Sequence, residues 1–133
     1  MQYERLIKAA LKVKKNAYAP YSRFYVGAAL LSNDGKIYVG CNVENSSYGM
    51  TMCAERNAFF KAISDGARGF KAIAIVSDDP GHTMPCGACR QVMSELAGEN
   101  LDIVTADQIG QIKIMKLRDL LPHPFFTEKL KHK

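Results

Sequence analysis

The chain has no run approaching the ~20 uninterrupted apolar residues that a membrane-crossing helix needs, so no span is expected. It also lacks the segregated start of a secretory leader. In MQYERLIKAALKVKK, charge and helical periodicity are mixed, where a leader would separate a basic start from an apolar block. A cytoplasmic location is the resulting expectation. No internal repeat, linker or low-complexity segment divides the sequence. Its 133 residues are the length of one ordinary domain, 1–133, with room for a core.

Basic charge is scarce in the middle of the chain. The net charge of +5 comes from the termini: residues 1–23 carry six Lys/Arg against one Glu, and residues 113–133 carry six against two acids. Residues 24–112 carry six basic against ten acidic side chains, and all the cysteines lie there. A nucleic-acid groove would place basic groups around its working surface. The terminal lysines read instead as solvated helix faces, and no nucleic-acid partner is expected.

Tyr3, Leu6, Ile7, Ala10, Leu11 and Ala17 recur at helical spacing, in a helix expected to end before Pro20. FYVGAALLS (24–32) and KIYVGCNV (36–43) read as strands joined by the turn Asn33-Asp34-Gly35. ENSSYGM reads as a loop. A helix is expected from about Cys53 to Asp65, a buried strand at 70–77, and a second helix from about Cys86 to Ala97. Strands follow at 101–106 and 111–116, then a short helix before Pro122. The repeated strand–helix–strand order argues for an α/β sheet with a parallel centre and helices on its faces. The gap from Ala106 to Gln111 is too short for a parallel crossover, so the last two strands should be antiparallel.

Four cysteines are present: Cys41, Cys53, Cys86 and Cys89. A disulfide framework suits small secreted domains poor in core, and this chain is neither. A thioredoxin-like redox pair at Cys86 and Cys89 leaves Cys53 unexplained. A metal site accounts for three of them. Positions i and i+3 share a helix face, and Cys53 and Cys86 each open a helix, where the dipole favours a thiolate. Cys41, in a strand, reads as a small core residue. Three ligands leave a tetrahedral zinc with an open position, which is the catalytic arrangement. Glu55 stands two residues after Cys53. It is either a helix-dipole partner or, beside a metal, a group that moves protons.

Cys-Ala-Glu, followed after 33 residues by Pro-Cys-Gly-Ala-Cys, resembles the signature of the zinc-dependent cytidine deaminases. SRFYVGAAL, GCNVENSSYG, CAERNAF and PCGACRQ extend the likeness over about residues 3–126, specifically to the small bacterial homotetrameric type with three cysteine ligands. The resemblance implies a three-layer fold with a five-stranded mixed sheet, helices on both faces and the last two strands antiparallel. It implies one Zn2+ per subunit on Cys53, Cys86 and Cys89. Glu55 would shuttle protons as a zinc-activated hydroxide attacks C4 of free cytidine or 2′-deoxycytidine, giving the uridine product and ammonia in pyrimidine salvage. Asn42 and Glu44 resemble the pair that holds the ribose hydroxyls, though turn chemistry at a strand end is the plainer account of both. Phe24 and Ala54 would contact the substrate. Tyr48 and Phe125 would reach a neighbouring subunit's site within a homotetramer.

Three thiolates leave zinc with a formal charge of −1, which weakens its pull on water, so charge must be withdrawn from the sulfurs. Helix dipoles are one source and Arg56 a second, with Arg90 a weaker candidate. None of His82, His123 and His132 occupies a ligand position of the motif. Two rival readings carry their own tests. A polynucleotide deaminase would need a parallel final strand pair with a helix between. A structural zinc module would need a fourth protein ligand, for which Cys41 is the spare sulfur.

Overall fold

The computed structural model describes residues 3–125. The helix α1 (Glu4–Lys14) leads to strands β1 (Val26–Ser32) and β2 (Ile37–Cys41), then helix α2 (Ala54–Ser64) and strand β3 (Phe70–Ser77). Helix α3 (Gly87–Ala97), strands β4 (Asp102–Ala106) and β5 (Ile112–Lys116), and the short helix α4 (Leu117–Leu120) complete the order. One turn of 3-10 helix, Tyr48–Met50, lies inside the segment expected as loop.

The sheet order is β2-β1-β3-β4-β5. β1 runs antiparallel to both β2 and β3, β3 and β4 are parallel, and β4 and β5 are antiparallel as expected. The parallel centre is thus a single pair. β2 and β3 share a direction, but β1 lies between them.

Period-two alternation sorts each strand's side chains between two cores. On one face Ala29, Ala72, Ala74 and Val76 meet Leu6, Ile7 and Ala10 of α1. On the other Leu30, Ile73, Ile75 and Ile103 meet Ala58 and Phe59 of α2 and Met93 of α3. The apolar run of β3 therefore hides a division of sizes, with small residues under α1 and large ones under α2 and α3. Phe59 is fully buried and meets Phe70 edge-on, ring centres 5.2 Å apart. Such a pair adds about 0.5–1.5 kcal/mol beyond its buried area.

α1 stops at Lys14, earlier than its periodicity suggests, because the next segment has other backbone partners. Tyr18 N–H donates to Asn42 O (3.0 Å), and Glu44 N–H donates to Tyr18 O (2.8 Å). Val43 pairs in turn with Met52. These bridges bring three stretches distant in sequence (around residues 18, 43 and 52) side by side, directly before α2.

Candidate active site

α2 and α3 lie on one face of the sheet, and each begins immediately after a cysteine that serves as its N-cap, Cys53 and Cys86. The starts converge at the end of the sheet where β2 and β3 finish and β1 begins, Val26 lying opposite Ser77. Ligands of open α/β sheets bind at such carboxyl ends. Cys89, two residues into α3, is fully buried. The sulfurs of Cys53, Cys86 and Cys89 all lie within 4.8 Å of one another. Cys53 Sγ is 3.8 Å from Cys86 Sγ, which is 3.3 Å from Cys89 Sγ. Tetrahedral zinc with bonds of about 2.3 Å separates its sulfurs by about 3.8 Å, so the donor set fits that ion. Cys41 stands outside the cluster. Its thiol is pushed up by burial.

The charges around the sulfurs are those a thiolate cluster needs. Arg56 Nη2 donates to Cys53 Sγ at 3.4 Å, and Arg56 Nε is buried without a partner among the described residues. A hydrogen bond with Cys89, then Arg56 and Cys86, bring the Cys53 thiol down to about 5 against the opposing effect of burial. The same bond to Cys53, then burial, push the Cys89 thiol up. Without metal, then, negative charge in the cluster is favoured at Cys53, beside the Arg56 guanidinium. Arg90 points elsewhere. Its Nε donates to Pro85 O (2.8 Å) and its Nη1 to Leu120 O (3.0 Å), so it clasps the approach to Cys86 onto α4 and Arg56 is the guanidinium at the sulfurs.

Glu55 is 5% exposed in the first turn of α2. Burial lifts its carboxyl to about 7, and the nearby Cys53 adds to that, while a hydrogen bond with Cys89 opposes it. Glu55, Cys53 and Cys86 line an open cavity of about 270 Å³ together with Phe24, Asn42 and Glu44. Ala54, also expected from the sequence, lines it too. A larger cleft of about 550 Å³ lies between α1 and the β4–β5 turn and has no cysteine in its walls. Cys53, Cys86 and Glu55 line the smaller one, with Cys89 buried behind them.

Asn42 and Glu44 each do structural duty. Asn42 Oδ1 accepts from Val26 N–H (2.9 Å) and its Nδ2 donates to Phe24 O (2.8 Å). Glu44 Oε1 accepts from the N–H groups of Tyr21 (3.0 Å) and Ser22 (3.1 Å), and its Oε2 from the Ser22 hydroxyl. Tyr48 and Phe125 do not line this cavity. Tyr48 is 78% exposed, borders Glu44 from outside and meets Tyr21 edge-on at 6.4 Å. Phe125 is 68% exposed, its backbone paired with the Gln91 side chain. Val26, Met52, Thr83 and Met84 also border the cavity, although the sequence reading did not single them out. Their loops come together through tertiary contacts that no local motif encodes. The wall formed by residues 78–84 is tied down by Tyr25 N–H on Asp78, a Ser77–Thr83 hydroxyl pair, and His82 Nδ1 on Thr105 Oγ1 (2.7 Å). His82 is thus a loop tether, not a metal ligand.

A three-sulfur metal site beside a buried carboxylic acid, opening on a pocket at the carboxyl end of an α/β sheet, defines a zinc-dependent hydrolytic centre. Residues 1–105 match the model of the cytidine and deoxycytidylate deaminase zinc-binding region. The chain is 51% identical to a cytidine deaminase of Sporosarcina psychrophila across 99% of this chain and 97% of that one. It is 48% identical to a cytidine deaminase of Halalkalibacterium halodurans, with 98% of each covered. The 1.6 Å crystal structure of cytidine deaminase from Burkholderia pseudomallei superposes with a TM-score of 0.90 at 50% identity, covering 94% of this chain and all of that one. The chain belongs to the cytidine deaminase family, of the bacterial type, and the Cys53/Cys86/Cys89 cluster fits one Zn2+ per subunit.

Proposed function

We propose that the chain hydrolyses free cytidine and 2′-deoxycytidine to uridine and 2′-deoxyuridine, releasing ammonia, as a step of pyrimidine salvage. The observation that carries this reading is the placement of Glu55: a buried carboxyl, poised near neutrality, in one cavity wall with Cys53 and Cys86 of the three-sulfur cluster. Cys53, Cys86 and Cys89 would hold the zinc, which when bound makes water a competent nucleophile near neutral pH.

Glu55 does the proton work. A general acid–base group is most effective when its pKa lies near the working pH, and burial has moved Glu55 there. It accepts a proton from the attacking water and delivers it to ring N3; it then takes the second proton of that water from the new C4 hydroxyl and passes it to the departing amino group as the C4 carbonyl forms. The C4–O bond forms, the C4–N4 bond breaks, and one water is consumed for each ammonia released. Arg56 keeps charge on Cys53 tolerable. Phe24 flanks the base, the backbone at Ala54 lies along the pocket, and Asn42 and Glu44 take the ribose hydroxyls with the hydrogen-bonding capacity left to them.

The cavity of about 270 Å³ is small for a ligand site. Its open side, and the exposure of Tyr48 and Phe125, suit a homotetramer in which neighbours complete each pocket. The decisive assay is ammonia release from cytidine, from deoxycytidine and from a cytosine-containing oligonucleotide, with and without a zinc chelator. Turnover of the two nucleosides alone, abolished by the chelator and restored by Zn2+, is expected. Turnover of the oligonucleotide alone, or chelator-resistant activity, overturns the reading.

A further inference from the structure

The segment Pro20-Tyr21-Ser22-Arg23-Phe24 has its shape set by Glu44, and Ser22 is the joint. Its hydroxyl donates to Glu44 Oε2 and accepts from Phe24 N–H (3.0 Å). Its own N–H, with that of Tyr21, occupies Glu44 Oε1. Among the described residues, Arg23 is the non-glycine residue with positive φ, at 58°. A backbone held there persists when its surroundings over-determine it. Arg23 N–H on Ala19 O (2.9 Å) closes the turn behind, and the Glu44 carboxylate fixes it in front.

A carboxylate offers about four acceptor sites, and this turn takes three of Glu44's, two on Oε1 and one on Oε2. The site left over is therefore aimed by the turn. The Ser22 hydroxyl sets the orientation of Oε2, since both backbone donors converge on Oε1 and would by themselves let the carboxylate rotate. Consistent with this, Ser22 heads the contacts that hold the Glu44 carboxyl below its ordinary value. The same hydroxyl ties the backbone of Phe24 to that carboxylate, so the wall proposed to face the base and the group proposed to take the sugar are registered by one side chain.

We infer that Ser22 is a positioning residue for nucleoside recognition: it presents the free acceptor site of Glu44 to a sugar hydroxyl and holds Phe24 in register with it. The inference rests on the function proposed above. In the hydrogen-bonding pattern it predicts, the ring hydroxyls of the sugar are read through Ser22 and Glu44, and a sugar lacking both the 2′- and the 3′-hydroxyl is not.

Steady-state kinetics of the full-length, zinc-loaded protein on cytidine and on 2′,3′-dideoxycytidine test it, comparing wild type, Ser22→Ala and Ser22→Thr. Ser22→Ala should raise KM for cytidine by about fivefold or more, as loss of one hydrogen bond to a charged acceptor implies. It should leave kcat on cytidine little changed, and it should lower kcat/KM on the dideoxynucleoside clearly less than on cytidine, because the two substrates share only the Phe24 contact. Ser22→Thr, which keeps the hydroxyl, should restore the cytidine KM. An unchanged cytidine KM in Ser22→Ala, an equal loss on both substrates, or no rescue by threonine overturns the inference alone. A wild-type protein inert toward cytidine overturns the proposed activity and this inference with it.

Discussion

At the scale of single residues, the site is a contest over protons. Without metal, Cys53 gives up its proton in the fold where an unfolded thiol would keep it, and Glu55 keeps a proton where an unfolded carboxyl would lose it. A lowered group stabilises the fold as pH rises above its folded value, and a raised group destabilises it as pH rises toward its folded value. Cys53 acts from about 5 to about 9, and Glu55 from about 4.5 to about 7, so between pH 5 and 7 the two slopes oppose each other. Metal-free Glu55→Gln removes one of them. Its urea midpoint, relative to wild type, should therefore climb from pH 5 to pH 7 and then stay parallel to it; a constant offset across that window would show that Glu55 is not raised. Arg56 acts on the same sulfur from the other side. Arg56→Gln should move the acidic limb of the pH–rate profile upward by about one unit, the size of one charged hydrogen bond. An unmoved limb with full zinc content would take Arg56 out of the charge balance.

At the scale of elements, the site exists because α2 can lie very close to β2. A Cβ at Gly40 would sit 2.5 Å from Ala58 N and 2.6 Å from Ala54 O, backbone atoms of the helix that begins beside Cys53. Gly27 makes the corresponding contact on the opposite face, where a Cβ would be 2.1 Å from Ala10 O of α1. Gly40→Ala and Gly27→Ala should each cost about 1–3 kcal/mol by overpacking, read from urea unfolding. Zinc per chain separates them: Gly40→Ala should lose metal because it displaces the start of α2, and Gly27→Ala should retain it. Equal zinc in both would mean that the α2–β2 spacing does not set the ligands. This closeness also shows what could be read from the chain. Cys53, Glu55, Cys86 and Cys89 were legible because their relation is local, each pair sitting within one helix start. The end of α1 was not, because Tyr18 is drawn off by residues 42–44. Nor was the insertion of β1 between β2 and β3, which strand order in sequence does not encode. The structural duty of Asn42 and Glu44 was hidden for the same reason, since their partners lie 16 to 23 residues away.

At the scale of the whole molecule, two of the residues expected at the pocket stand away from it on their own chain. Tyr48 presents most of its ring to solvent beside Tyr21, and Phe125 leans on α3 through its backbone while its side chain projects outward. Aromatic rings are enriched where chains meet, and Tyr48 is not isolated but forms an exposed pair with Tyr21. If each pocket in a homotetramer borrows Tyr48 from a neighbour, a defect in Tyr48 and a defect in Glu55 fall in different subunits' contributions to one site. Glu55→Gln chains should be nearly inactive, since loss of acid–base assistance costs about 10²–10⁴ in rate, and Tyr48→Ala chains should be impaired. Unfolding the two together and refolding them as a mixture should then create sites with an intact Glu55 from one chain and an intact Tyr48 from the other. Activity above the mean of the separately refolded proteins, in a species of four times the chain mass by light scattering, is the expected result. If Tyr48 serves its own chain's pocket instead, no mixed site can hold both intact groups, and the mixture will only average its parents. The same mixing with Phe125→Ala asks whether the second exposed ring also works across a boundary between chains.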